Sequence, residues 1–255
     1  MLRAHGISDP GTTRKTNEDS LFSDETLGLF VVADGMGGHA AGEVASRLAI
    51  EAVEGFIRRS QADQDFSWPY GVDASLGYDG NRLRTAISLA NRRVFRAAES
   101  HDDYTGMGST VVAALVAGRR LSIGSVGDSR VYLWSDSTLT LLTEDDTWVG
   151  MLRSQNAGID PAVLARHPMR HVLTNVLGAR EETTAHVSER DLRDGDVLLL
   201  CSDGLHGPVP EDVIAARLTA AGDLPEVAQG LVQEALDRGG RDNVTVLLVT
   251  LGGRS

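Results

Sequence analysis

The 255-residue chain has one cysteine, Cys201, so an intrachain disulfide is excluded and a reducing compartment is the expected setting. It is also short of cations: Lys and Arg number 24 against 36 Asp and Glu, a formal net charge of −12. A deficit of that size argues against nucleic acid as a partner, because phosphate backbones are held by basic side chains. No apolar run approaches the roughly 20 residues needed to cross a bilayer. The opening MLRAHGISDP lacks the hydrophobic stretch of a secretory signal. A cytoplasmic protein that engages neither nucleic acid nor membrane is therefore expected. Cys201 itself lies inside the apolar run DVLLLCSDG and reads as a small buried hydrophobe rather than a nucleophile.

What is present is the composition of a soluble globular protein, 42% hydrophobic and 24% charged, with no repeat, linker or low-complexity tract. The expectation is one domain over residues 1–255. LGLFVVADG reads as a buried strand with a glycine break. Ala45, Leu48, Ala49, Ala52, Val53 and Phe56 share one face of an amphipathic helix, as do Leu83, Ile87, Ala90, Val94 and Ala97 in a second. Residues 60–80, rich in turn formers, read as a long loop between them. Four β-type runs follow, STVVAALVAG, RLSIGSVGDS, RVYLWSD and TLTLLTED, broken by Gly, Ser or Asp as in an antiparallel meander. After an irregular stretch over 145–182, GDVLLLCSDG leads into helical patterns near 210–221 and 224–238, and NVTVLLVTLG closes the chain. Meanders with helices set apart predict an α+β fold of stacked antiparallel sheets flanked by helices.

The chemistry collects where β-type runs end. Asp34 follows the apolar VVA and precedes a glycine; Asp203 does the same in LLCSDG. Asp128 sits between two strands in SVGDSR, Asp242 stands just before the last strand in GGRDNV, and RKTNED supplies Glu18 and Asp19. Each alone has an ordinary explanation. An Asp-Gly pair after a strand is usually a turn, Asp242 can end an element, and Asp128 can pair with Arg130. Strand ends of one packed sheet pair can nevertheless share an edge, and carboxylates brought that close do not stay ionised without a counter-charge. A divalent cation supplies it. All-oxygen ligands favour Mg²⁺ or Mn²⁺ over zinc, and the bare backbone of Gly35 would let its carbonyl approach a metal or phosphate.

With those residues assembled, the chain resembles the metal-dependent serine/threonine protein phosphatases of type 2C, especially the compact bacterial members. The matching segments run in the family's order: RKTNED (14–19), VADGMGGH (32–39), TGMGST (105–110), GDSR (127–130), HPMRHVLTNVLG (167–178), CSDGL (201–205) and GGRDNVTV (239–246). The resemblance implies a four-layer αββα sandwich, two antiparallel sheets packed together with helices on both outer faces. It also implies two Mn²⁺ or Mg²⁺ ions at one end of the sandwich, with Asp34 bridging both and Asp203 and Asp242 completing the first metal's ligands. The Gly35 carbonyl joins the second metal, Glu18 and Asp19 act largely through water, and Asp128 serves a third, weaker site with Asp203. Arg14 grips the substrate phosphate, for which a guanidinium is suited.

The implied reaction is hydrolysis of phosphoserine and phosphothreonine in proteins by a water that two metals acidify. Phosphorylated proteins and a serine/threonine kinase of the same pathway are the implied partners. Met36 stands where some relatives carry a histidine proposed as general acid, and the nearby His39 is not given that role. Gly207 replaces an acidic third-metal ligand common in the family, which predicts a weak third site. Asp146 replaces a common histidine at the entrance to a flap expected over 146–170. Two rival readings stay open: a catalytically silent binding module of this fold, and a two-metal phosphatase of small phosphate esters.

Overall fold

The computed structural model describes residues 1–38, 41–63, 67–155, 164, 167–219 and 222–252. One antiparallel sheet runs in the order β1 (Leu2–Asp9), β11 (Val244–Leu251), β10 (Val197–Cys201), β7 (Arg130–Ser135) and β8 (Thr138–Leu141). The other runs β2 (Asp19–Asp24), β3 (Leu29–Met36), β5 (Val111–Ala117), β6 (Arg120–Val126) and β9 (His186–Asp191), with the two-residue β4 (Gly108–Ser109) paired to the end of β3. Helices α1 (Ala41–Ala62) and α2 (Tyr78–Ser100) cover the second sheet, while α4 (Asp203–His206), α5 (Glu211–Thr219) and α6 (Leu224–Asp237) lie against the first. Helix α3 (Trp148–Gln155) belongs to the expected flap, of which residues 156–163, 165 and 166 lie outside the described residues, as does His39.

Continuous apolar strands follow from this layering, because successive side chains point to opposite faces. Leu29, Val31 and Ala33 pack under α1 and α2, whereas Phe30 and Val32 pack between the sheets. Likewise Leu199 and Cys201 meet the α5–α6 layer, while Leu198 and Leu200 enter the inter-sheet core. Both faces of a central strand are buried, so it carries no polar alternation. The two amphipathic helix faces read from the sequence are the faces that meet the second sheet. The loop between them is shorter than expected, since α1 runs on to Ala62 and α2 starts at Tyr78.

Strands β1, β2 and β9 have no counterpart in the apolar pattern of the sequence. They lie at sheet edges, and β9 alternates exposed and half-buried positions along HVSERD. An edge strand needs one apolar face at most, which leaves little signal. Antiparallel pairing has a direct consequence for the site. The ends of β3, β6 and β10 and the starts of β2, β5, β7 and β11 all fall on one edge of the sandwich.

Leu200 is fully buried between the sheets, so Leu200→Ala should destabilise the fold by about 2–5 kcal/mol. Val72, 62% exposed, serves as the control, and Val72→Ala should stay within about 0.5 kcal/mol. Urea unfolding of both variants checks the contrast.

Candidate metal centre

Asp34 does not follow its strand but lies inside β3, directly across from Asp19 in the β2–β3 register. Asp128 sits in the turn between β6 and β7, Asp203 opens α4 just after β10, and Asp242 precedes β11. With Arg14, Glu18, Gly35, Thr110, His171 and Asn243 they line a cleft of about 310 Å³ at the shared edge. Asp19 alone of the expected residues lies behind the cleft wall rather than on it.

Asp19, expected to act largely through water, is only 7% exposed. Its Oδ2 accepts hydrogen bonds from Ser202 Oγ and Thr245 Oγ1, both at 2.7 Å. These hydroxyls belong to the other sheet, so Asp19 ties the two sheets together at the site. Its second oxygen, Oδ1, is buried without a hydrogen-bond partner in the protein. A buried carboxylate oxygen left unpaired is costly unless a cation or water meets it.

Packing adds a second reason for a glycine at position 35. A Cβ there would come within 1.9 Å of the Gly42 carbonyl and 2.7 Å of the Glu18 carbonyl. The bare backbone thus lets β3 press against the start of α1 and the 10–18 segment, and its N–H donates to the Glu18 carbonyl at 3.1 Å. The Glu18 carboxylate reaches under Gly42, where a Cβ would meet its Cδ at 2.6 Å.

Arg14 is not free to wait for phosphate. Its Nη2 donates to Asp242 Oδ2 at 2.8 Å, with both side chains about half exposed, at 51% and 41%. This pairing draws an expected ligand toward a cation the protein already owns. Accordingly, among the described residues no three His, Cys, Asp or Glu side chains close on one point tightly enough to hold an ion unaided.

Several positioning groups carried no distinct signal in the sequence. The Asn243 amide donates to the carbonyls of Pro10 and Thr16, both at 3.0 Å, while its oxygen accepts the Glu18 N–H at 2.8 Å. It thereby clamps the segment bearing Arg14 and Glu18 beside Asp242. Asp34 N–H donates to Thr110 Oγ1 at 3.1 Å, and Ser109 Oγ donates to the Asp34 carbonyl at 3.0 Å. Thr110 Oγ1 also bonds Ser129 Oγ at 2.7 Å, next to Asp128. TGMGST, one of the segments that carry the resemblance, thus supplies the hydroxyls that hold Asp34. His206 Nε2 lies 2.9 Å from the Asp128 carbonyl, and burial drives its pKa down to about 3, so it is a neutral donor. Asp146, in place of a histidine, accepts from Gly127 N–H at 3.0 Å and Asn175 Nδ2 at 2.9 Å and meets His186 Nε2 at 2.8 Å. A histidine from β9 therefore stands beside it.

The electrostatics of the edge are those of unrelieved repulsion. Burial, then the neighbouring Asp19, Asp203, Asp128 and Asp242, holds the Asp34 pKa well above the carboxylate range. Burial raises Asp19 to about 6 despite its two hydroxyl partners. Burial and Asp203 raise Asp128 to about 7. Asp203 is raised by burial and by Asp242. Carboxylates that share one buried cleft do not all stay ionised without protons or a cation among them. The all-oxygen donor set and the orphaned Asp19 oxygen together fit hard divalent ions.

The protein phosphatase 2C family profile matches residues 12–237. The chain is 39% identical over 251 residues to the serine/threonine protein phosphatase PstP of Mycobacterium tuberculosis, covering 97% of this chain but only 45% of that protein. It is 35% identical to the serine/threonine phosphatase stp of Listeria monocytogenes, covering 97% of this chain and 95% of that one. Among solved structures, the PstP catalytic domain in complex with two manganese ions superposes with a TM-score of 0.80 at 37% identity, over 99% of both chains. The S. agalactiae serine/threonine phosphatase superposes with a TM-score of 0.84 at 30% identity, covering 98% of this chain and 100% of that one. Segments from Arg14 to Asp242 that carry the anionic edge lie within or just beyond the matched span, in a sandwich of the same architecture. The chain belongs to the protein phosphatase 2C family.

Proposed function

We propose that this chain is a metal-dependent phosphatase of phosphoserine and phosphothreonine in proteins, working at the cleft of Asp34, Asp203 and Asp242. The observation that carries the reading is the convergence of Asp34, Asp128, Asp203 and Asp242 on one cleft beside the unpaired Asp19 oxygen, an arrangement that asks for cations. The relatives' names supply the substrate class, and the two manganese ions of the PstP structure supply the metal count. Among the described residues no helix is long and apolar enough to cross a membrane, which suits action in the cytoplasm against the work of a serine/threonine kinase.

Asp34, Asp203 and Asp242 would hold one ion, and Asp34 with the Gly35 carbonyl the other. Glu18 and Asp19 would order water around them, and Asp128 with Asp203 would offer a third, weaker position because Gly207 brings no carboxylate. When bound, such ions supply an acidified water and offset the charge of a phosphoryl group. The protein's own part is positional. Thr110 and Ser109 fix the Asp34 backbone, and Ser202 and Thr245 fix Asp19. Asn243 sets Arg14 and Glu18 at the rim. Arg14 exchanges its bond to Asp242 for bonds to the substrate phosphate. Met36 lines the cleft and cannot donate a proton, so the leaving hydroxyl's proton has another source.

Phosphothreonine-peptide hydrolysis should occur with Mn²⁺, vanish with EDTA and vanish in Asp34→Asn; turnover undiminished in chelator would refute the metal reading. Absence of turnover on any phosphoester would favour a silent binding module, and a preference for small esters over phosphopeptides would favour the other rival. Arg14→Ala should raise KM for phosphopeptide by about tenfold while changing kcat less. The Mn²⁺ concentration for half-maximal activity should not rise, because Asp242 no longer shares its charge with the guanidinium.

The raised carboxylates fix the sign of a pH effect. A carboxylate whose folded pKa exceeds its ordinary value of 3.8 contributes stability below that value and loses it as pH rises through the folded pKa. With Asp19 near 6 and Asp128 near 7, the metal-free protein should lose thermal stability between about pH 4 and pH 7. Added Mn²⁺ should restore more at pH 7.5 than at pH 5, since ligands must shed protons to bind it. Melting curves at both pH values, with and without Mn²⁺, check this.

A further inference from the structure

The inter-sheet layer changes character at its metal end. Along β11 its row is Leu251, Val249 and Leu247, and the next position on that face is Thr245. Along β1 the row runs from Leu2 and Ala4 to Ser8, and along β2 from Leu21 to Asp19. Ser8 stands opposite Thr245 in the β1–β11 register. Thr245 is fully buried, where a valine of the same shape suits an apolar layer better unless the hydroxyl is used.

The hydroxyl is used, and in one direction. Facing a cation, the Asp19 carboxylate is ionised and only accepts, so Thr245 Oγ1 donates its one proton to Asp19 Oδ2 at 2.7 Å. Toward Ser8 Oγ, also 2.7 Å away, Thr245 can then only accept, and Ser8 is the donor. Ser8 accepts in turn from Asn17 Nδ2 at 2.8 Å. The Asn17 amide is held in that sense because its Oδ1 accepts the Asp19 N–H at 3.2 Å. The ring closes on itself, and every side-chain proton in it points along the path to the carboxylate. Ser202 adds a second donor: its Oγ accepts the Thr245 N–H at 3.0 Å and gives its own proton to Asp19 Oδ2 at 2.7 Å. Donors chained in this way polarise one another and strengthen the last bond.

All of these bonds land on Oδ2. Oδ1 stays buried with no hydrogen-bond partner among the described residues. A latch that served only to join two sheets would gain by pairing both oxygens, since a buried orphan costs stability. We infer that Ser8 and Asn17 are positioning residues of the metal centre. Acting through Thr245, they pin Asp19 by Oδ2 and leave Oδ1 free for the hydration shell of a divalent ion. The inference rests on the metal-dependent reading above and extends it to two residues that do not line the cleft.

Mn²⁺ binding measured by calorimetry tests it without turnover. Thr245→Val should weaken Mn²⁺ about tenfold, and Ser8→Ala about threefold. Ser8→Thr, which keeps the hydroxyl, should bind as the wild type does. Ser8 is half-buried, so Ser8→Ala decides the matter even if Thr245→Val does not fold. Placed on Asp19→Asn, the same substitutions should change the dissociation constant by less than about twofold, because their effect passes through the Asp19 charge. A purely structural latch would lower the melting temperatures of Ser8→Ala and Thr245→Val and leave their Mn²⁺ affinity at the wild-type value; that result overturns the inference. Equal losses with and without the Asp19 carboxylate overturn it too. Wild-type protein that takes up no Mn²⁺ removes the metal reading and this inference together, whereas wild-type uptake with unchanged variants removes this inference alone.

Discussion

Mutual repulsion among carboxylates is the constraint around which this molecule is arranged. Asp19 and Asp34 face each other across two paired strands, and Asp34 shares a cleft with Asp203. Asp128 and Asp242 close the ring at the same edge. Bringing them together raises the energy of the metal-free fold at neutral pH, because burial and like charge both favour protonation. Only the β-sandwich around them keeps the group assembled. Its three apolar layers, one between the sheets and one under each set of helices, supply the stabilisation that an anionic edge subtracts.

The edge is held by neutral polar groups rather than by counter-ions. Hydroxyls of Ser202 and Thr245 reach from one sheet to Asp19 on the other, and those of Ser109, Thr110 and Ser129 link the strand of Asp34 to the turn of Asp128. Hydroxyl donors fix geometry without cancelling charge, which leaves the carboxylates available to a cation. Among the described residues the basic exception is Arg14 on Asp242, at the exposed rim. An ion pair in that position exchanges partners more easily than a half-buried one such as Arg130–Asp145.

Much of this was readable before any coordinates. Apolar runs ending in Asp-Gly located β3 and β10, and the spacing of Ala45, Ala49 and Val53 located α1, because burial on both faces or one face leaves a periodic trace. Asp34, Asp128, Asp203 and Asp242 were identifiable since charge after a buried run is conspicuous. Strands β1, β2 and β9 escaped because an edge strand can be half polar. The burial of Asp19 escaped too: its partners Ser202 and Thr245 lie more than 180 positions away, and a serine or threonine in a strand looks like any other. The packing demand on Gly35 escaped for a similar reason, since the sequence shows a missing side chain but not which neighbour fills the space.

Pairing of β1 with β11 has a consequence in time as well as space. The segment carrying Arg14, Glu18 and Asp19 is anchored through Asn243 and Thr245, so its geometry waits on residues more than 220 positions later. A nascent chain that has released only β1 to β6 with α1 and α2 from the ribosome has Asp34 in hand but neither Asp203 nor Asp242. The anionic edge is therefore complete only once β11 has paired, and an unfinished chain presents Asp34 without the carboxylates that would share a cation with it.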